Sequence, residues 1–203
     1  QRGPLWILLV VIVMISVAGY TAGRRGRHIP RSKTVATAAV SVGAALTLGL
    51  LILLSVFPFE PRFIIPIAGM IVGNSMTVTA LVMVRLRDDL KSQQAQVEAA
   101  LALGATRQQA AALQLRRSLA TGMTPIVDNT KTVGLISLPG AMTGMILAGA
   151  SPLEAVQLQI IVMYMLMGAA AFSGLTAAFL TYRQFFTGAH QLLLPIQTDE
   201  ATI

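Results

Sequence analysis

The sequence predicts an all-α fold, a polytopic bundle of membrane-spanning helices. Three observations carry that reading. Hydrophobic residues make up 55% of the chain and charged residues 11%, against roughly 25% charged in soluble domains. Mean hydropathy is +0.72. The apolar residues also fall in long unbroken runs, without the apolar–polar alternation of membrane β-strands. Inside lipid such runs must be helical, because only a helix satisfies its own backbone there.

About five runs approach the roughly 20 residues that a span needs: Leu5–Ala22, Thr34–Phe57, Phe63–Leu86, one within Leu119–Ala150, and Val156–Tyr182. The first lacks a small-residue cleavage site with a polar sequel, so it reads as a span and not as a signal peptide. Leu119–Ala150 holds 32 residues. A straight helix of that size would be about 48 Å long, against a hydrocarbon core of about 30 Å. Pro125 is placed to kink it, and Pro139-Gly140 to break it. Residues 1–191 are expected to form one transmembrane domain. The tail 192–203, "LLLPIQTDEATI", is expected to be poorly ordered.

Charge orients the spans. Arg24, Arg25, Arg27, Arg31 and Lys33 fall in the first loop; Arg85, Arg87, Lys91, Arg107, Arg116 and Arg117 fall in or beside the third; Arg183 opens the tail. Those twelve share one side, while Arg2 and Arg62 lie on the other and Lys131 falls within a span. By the positive-inside rule, loops 23–33 and 87–118 and the C-terminus are cytoplasmic, in a plasma or bacterial inner membrane. The net charge of +7 is therefore topological, and no nucleic-acid partner is expected. The absence of cysteine excludes disulfide scaffolds and thiolate metal sites. His28 and His190 have no ligand-spaced neighbour, and the ten methionines form no ladder.

The long basic loop contains "VEAALALGATRQQAAALQLRR" (Val97–Arg117). Ser92–Leu103 reads as a helix ended by Gly104 in a left-handed conformation. Thr106 fits the N-cap of a second helix, with Gln109 completing a capping box. That second helix is expected to run on through Arg117. Val97, Leu101, Leu113 and Leu115 give the resulting elbow an apolar side. On pattern alone it could be an interfacial hairpin lying on headgroups.

Glu98-Ala99-Ala100, three residues and then Gly104 form the "EAA…G" signature of ABC transporter permeases. "IPIAGMIVGNSM" (Ile65–Met76), "EAALALGAT" (Glu98–Thr106), "TPIVDNTKTVGLISLPGAMTGMILAGASPLEAVQLQI" (Thr124–Ile160) and "TYRQFF" (Thr181–Phe186) together resemble the iron-export ABC permease family (FetB/YbbM-like). The resemblance implies a homodimer of permeases that exports a metal ion, with a separate ATP-binding subunit meeting the elbow at Glu98, Ala99, Ala100, Gly104 and Thr106. Plant relatives in that family are tied to aluminium tolerance. Family members carry further spans before the first one here, so the chain is expected to be N-terminally truncated or shortened. Lys131-Thr132 does not end a phosphate-binding loop, since Pro125 and Thr130 stand where its glycines would be. ATP and Mg²⁺ are accordingly expected on the partner. No cofactor and no catalytic residue are expected on this chain, which reads as a transport subunit and not an enzyme.

Ionisable residues inside a membrane are costly and mark candidate sites. Asp128 and Lys131 are three apart on one helical face and could pair, with Asn129 between them. They read as a structural ion pair, a gate, or a cation contact. Asn74, Asp128, Asn129, Lys131, Pro139 and Gly140 are the candidates for a translocation path. Asn74 reads first as a helix–helix hydrogen bond, as intramembrane amides and hydroxyls usually are. Asp128 and Glu60, the latter on an outer loop, are the only metal candidates. Glycine pairs at 19/23, 69/73 and 140/144 would allow close helix crossings, and the span holding Asn74 is expected to pack on the Asp128 segment. The other functional readings are an ABC permease for an organic solute such as a nucleotide sugar or lipid, and a membrane scaffold or regulatory subunit that moves nothing.

Overall fold

The computed structural model describes residues 4–56, 60–133, 140–187 and 191–192. The described residues form eight helices: α1 (Pro4–Arg25), α2 (Ser32–Leu53), α3 (Pro61–Ser92), α4 (Gln94–Ala102), α5 (Arg107–Ala110), α6 (Ala112–Thr132), α7 (Gly140–Leu147) and α8 (Pro152–Gln184). No β-strand occurs among them; an isolated bridge joins Phe186 and Leu192.

Four helices are long and apolar enough to cross a membrane: α1, α2, α3 and α8. The fifth expected span is not one helix. α6 continues through Pro125 and ends at Thr132, and α7 begins at Gly140. Pro139, His190 and nearly all of the tail lie outside the described residues.

The four long helices pack on one another, with α6 against α3 and α8. One cluster of buried side chains fills the end of the bundle bearing the basic loops, with Val78, Val82, Met83, Leu86, Tyr182 and Phe185 among them. A second fills the opposite half around Val40, Ile71, Val162 and Met165. Outward faces keep large apolar residues such as Leu5, Val17, Leu53 and Tyr164 exposed, as a bundle bathed in lipid requires.

Small residues set the helix spacing, as in membrane bundles generally. A Cβ at Gly19 would lie 2.6 Å from Thr37 Cα, one at Gly23 2.5 Å from Lys33 Cα, and one at Gly43 2.7 Å from Ser173 Cβ. The 19/23 pair thus seats the C-terminal end of α1 on the first turns of α2. By contrast, among the described residues Gly73, Gly140 and Gly144 meet nothing within 4 Å, and Gly69 reaches only Met14 Cε at 3.9 Å. Neither of those two pairs makes a close crossing among the described residues.

Candidate functional site

The elbow begins where α3 ends at Ser92. Gln93 interrupts the helix, so the first arm is Gln94–Ala102 and not one helix from Ser92. Gly104 takes φ +88, and the amides of Gly104 and Ala105 donate to the carbonyls of Leu101 and Ala100. That crossed pair is a Schellman closure. Thr106 Oγ1 then accepts from the Gln109 amide, and the Thr106 amide donates to Gln109 Oε1 at 2.9 Å. The capping box forms as its residues demand. The second arm is broken, however: α5 ends at Ala110, and α6 starts afresh at Ala112.

The elbow's apolar side chains divide. Val97 is fully buried in the bundle's basic-end cluster, and Leu101 and Leu115 pack against that cluster. They anchor the elbow to its own bundle and are not free to dock elsewhere. Leu113, the fourth, is exposed, and the elbow also presents outward Glu98, Ala99, Leu103, Gly104 and Thr106, while Ala100 is half-buried. Leu103 is 90% exposed. Glu98 accepts a hydrogen bond from Gln94 Nε2 at 2.7 Å.

A second corner repeats the chemistry at the opposite end of the bundle. Gly149 has φ +92, Ala150 donates to Met145 O, and Ser151 and Glu154 form a capping box at the start of α8. Gly104-Ala105-Thr106 and Gly149-Ala150-Ser151 are therefore the same turn. The recurrence of Gly-Ala-hydroxyl, each time followed three residues later by Gln or Glu, is the sequence signal of both corners.

Inside the bundle, α6 runs antiparallel to α3. Gln114 Nε2 donates to Gln93 Oε1 at 2.8 Å, and a Cβ at Gly122 would run into Val82 Cγ2. This register carries Asp128 to the level of Met76 and Lys131 to the level of Gly73, near the middle of the apolar part of α3. The expected α3–α6 packing is present, and Gly122 makes it rather than the 69/73 glycine pair.

The buried face of α6 is Gln114, Ser118, Gly122 and Ile126. The other face, Arg117, Thr121, Thr124, Asp128 and Lys131, is exposed. Their 4-3-4-3 spacing sets these polar residues in one seam along a single face of α6. No ion pair joins Asp128 to Lys131 or to any other described residue, so of the three readings the structural ion pair is not formed. Both side chains point away from the bundle, where each keeps its own freedom. Asn129 is exposed beside them, and Gly140 is exposed at the start of α7.

Asn74 lies at the same depth but is turned elsewhere. Its Nδ2 donates to Leu166 O on α8 at 2.9 Å, a packing bond between helices. Glu60 is an exposed residue at the N-cap of α3, remote in sequence and depth from Asp128. Among the described residues, no three His, Cys, Asp or Glu side chains gather as a metal site.

The comparisons agree with this architecture. The profile of the family described as "Uncharacterised protein family (UPF0014)" matches residues 1–186. The chain is 59% identical to "Protein ALUMINUM SENSITIVE 3" of Arabidopsis thaliana, over 95% of this chain and 70% of the relative. It is 57% identical to "UPF0014 membrane protein STAR2" of Oryza sativa subsp. japonica, over 95% of this chain and 67% of the relative. It is 42% identical to "Probable iron export permease protein FetB" of Escherichia coli (strain K12), over 92% of this chain and 72% of the relative. No solved structure matches the chain.

Proposed function

The chain belongs to the UPF0014 family of membrane proteins, and from that premise we propose that it is the membrane-spanning permease subunit of an ABC transporter that exports a metal ion, iron first among candidates. ATP would be bound with Mg²⁺ and hydrolysed on a separate subunit. The observation that carries this reading is the anchored elbow. Val97 and Leu101 tie it to the bundle, while Glu98, Ala99, Leu103, Gly104 and Thr106 stand outward on the basic end. In this reading that end faces the cytoplasm, and the elbow is the coupling helix that a partner ATPase would grip. Motion of the partner would pass through the buried anchors into α3 and α6.

The path itself would lie along the exposed seam of α6. A face with Asp128 and Lys131 at mid-bilayer depth is costly against lipid. A second copy of the chain covering that seam would turn it into a polar, water-accessible passage. The 42% identity to a bacterial protein named as an iron export permease supports the cargo. A second reading keeps the permease and changes the cargo to an organic solute such as a nucleotide sugar or lipid. The identities of 59% and 57% to the two plant proteins, one named for aluminium sensitivity, favour keeping cargo open.

The test is radiolabelled iron accumulation in inside-out vesicles that hold this chain and its ATPase. ATP-dependent accumulation supports iron export. ATPase stimulation by this chain without iron accumulation assigns a different cargo, and no stimulation at all favours a scaffold or regulatory subunit.

A further inference from the structure

The α1–α2 hairpin ends in an open basin of about 590 Å³, lined by Tyr20, Arg24, Arg27, Arg31, Ser32 and Lys33 among others. Basic residues beside a span ordinarily do no more than set its orientation. Three features here go further.

The charge is uncompensated. No Asp or Glu occurs in the first 59 residues. Asp89 and Asp88, at the same end of the bundle, are taken by Arg85 and Arg87. None of the four basic side chains lining the basin has a carboxylate partner among the described residues; Lys33 lies instead over the Tyr20 ring, 4.8 Å from its centroid.

The backbone adds donors of the same sign. α2 starts at this basin, and no side-chain hydrogen bond caps it. Arg31 precedes it with φ 53. The Ser32 amide donates to Ile29 O, so the positive end of a 22-residue helix opens onto the basin with the amides of Lys33 and Thr34. Ser32 lines it at 8% exposure, and its hydroxyl makes no hydrogen bond with any described residue.

The frame is fixed. Gly23 presses on Lys33, and Gly26 sits against Met83 Cε and Ile29 Cδ1, where a Cβ would be 3.2 and 3.3 Å away. Ile29, 3% exposed, floors the basin. On the lipid side, exposed Leu9, Val13 and Val17 run down α1 at four-residue spacing, and Tyr20 follows three residues on. The mouth thus stands at the end of an apolar stripe.

We propose that this basin is a binding site for the phosphate headgroup of an anionic phospholipid, with the acyl chains lying along α1. Soluble phosphate esters share the headgroup chemistry, but the apolar stripe that ends at Tyr20 selects the lipid. The assignment needs only that α1 and α2 cross the membrane, and it stands or falls apart from the transport reading.

Native mass spectrometry of the full chain, titrated with phosphatidylglycerol and with phosphatidylcholine of the same acyl chains, tests it. Wild type should prefer phosphatidylglycerol. Arg24→Gln with Arg27→Gln should cut that preference about thirtyfold. Arg116→Gln with Arg183→Gln, which removes equal charge outside the basin, should leave it intact. Ser32→Ala, which keeps every charge, should lower phosphatidylglycerol binding alone and guards against a misfolded double variant. Equal losses in both charge pairs would reduce the site to general surface charge and overturn the proposal. So would a wild type without preference. Displacement of phosphatidylglycerol by inorganic phosphate at matching concentration would overturn the lipid assignment in favour of a soluble phosphate compound.

Discussion

Gln114 reaches back 21 residues to donate a hydrogen bond from Nε2 to Gln93 Oε1 at 2.8 Å. Those two side chains flank the elbow, one just before α4 and the other just inside α6, so the bond closes the elbow at its base. Gln114 is 1% exposed, and its own Oε1 has no partner.

Loss of this staple should be costly. Gln114→Ala leaves the Gln93 oxygen short of a donor and opens a void at a position that is 1% exposed. We expect a destabilisation of about 1–3 kcal/mol, read as a lower midpoint of thermal unfolding in detergent. Gln93→Glu, which keeps an acceptor for Gln114, should lose less. Equal losses for the two variants would mean that the bond does not hold the elbow.

Gly104 and Gly149 permit a sharper comparison. Both have positive φ, +88 and +92, and neither has a neighbour within 4 Å of an added Cβ. Valine at either site meets strain and no clash, at a cost of about 1–2 kcal/mol. Gly104→Val and Gly149→Val should therefore shift the unfolding midpoint alike. Only Gly104→Val should abolish stimulation of a partner ATPase, while Gly104→Asn, which tolerates this conformation, should preserve it. Equal loss of stimulation at both corners would place coupling outside the elbow.

The legibility of these features follows their range. The Thr106–Gln109 box and the Gly104 corner are rules of adjacent residues, and both formed as read. The breaks at Gln93 and Ala111 carry no proline or glycine, so nothing local announces them; they occur where Val97 must reach the core and Gln114 must turn inward. Three-residue spacing put Asp128 and Lys131 on one face without obliging them to meet. The depth of that face was hidden as well, because it depends on which α3 residue opposes Gly122. Gly122 stands with Ser118 in a small-xxx-small pair and not in a glycine pair, whereas the glycine pairs at 69/73 and 140/144 make no close contact among the described residues.

Gly122 accordingly carries a prediction of its own. A Cβ there would run into Val82 Cγ2, with Val78 O 3.6 Å away. Gly122→Ala should cost about 1–3 kcal/mol by overpacking, and Gly122→Val should cost more. Pairing Gly122→Ala with Val82→Ala should recover part of the loss, since the smaller neighbour makes room. A double variant no better than the single one would mean that α3 and α6 do not meet at this point.

Asn74 should matter for packing and little for transport. Its bond to Leu166 O ties α3 to α8, and interhelical bonds in membranes average about 0.6 kcal/mol. Asn74→Ala should lower the unfolding midpoint slightly and leave the ATP-dependent transport rate of the surviving protein within about threefold, the factor that such an energy corresponds to. A larger loss of rate at full stability would move Asn74 back into the path.

The exposed seam of α6 can be probed on a clean background, because the chain has no cysteine. Maleimides react with the thiolate, which forms in water and not in hydrocarbon. Cysteine in place of Asp128 should therefore react with a membrane-impermeant maleimide if a second copy turns the seam into a wet passage. Tyr164→Cys, at a position 71% exposed on the outer surface of α8, should stay unreactive under the same conditions because it meets lipid. Thr124→Cys, one turn nearer the elbow on the same seam, should in addition form a cross-link between copies with a short bis-maleimide. A reactive Asp128→Cys without any cross-link at Thr124→Cys would keep the water and remove the second copy. A seam as unreactive as Tyr164→Cys would remove the path from α6 altogether.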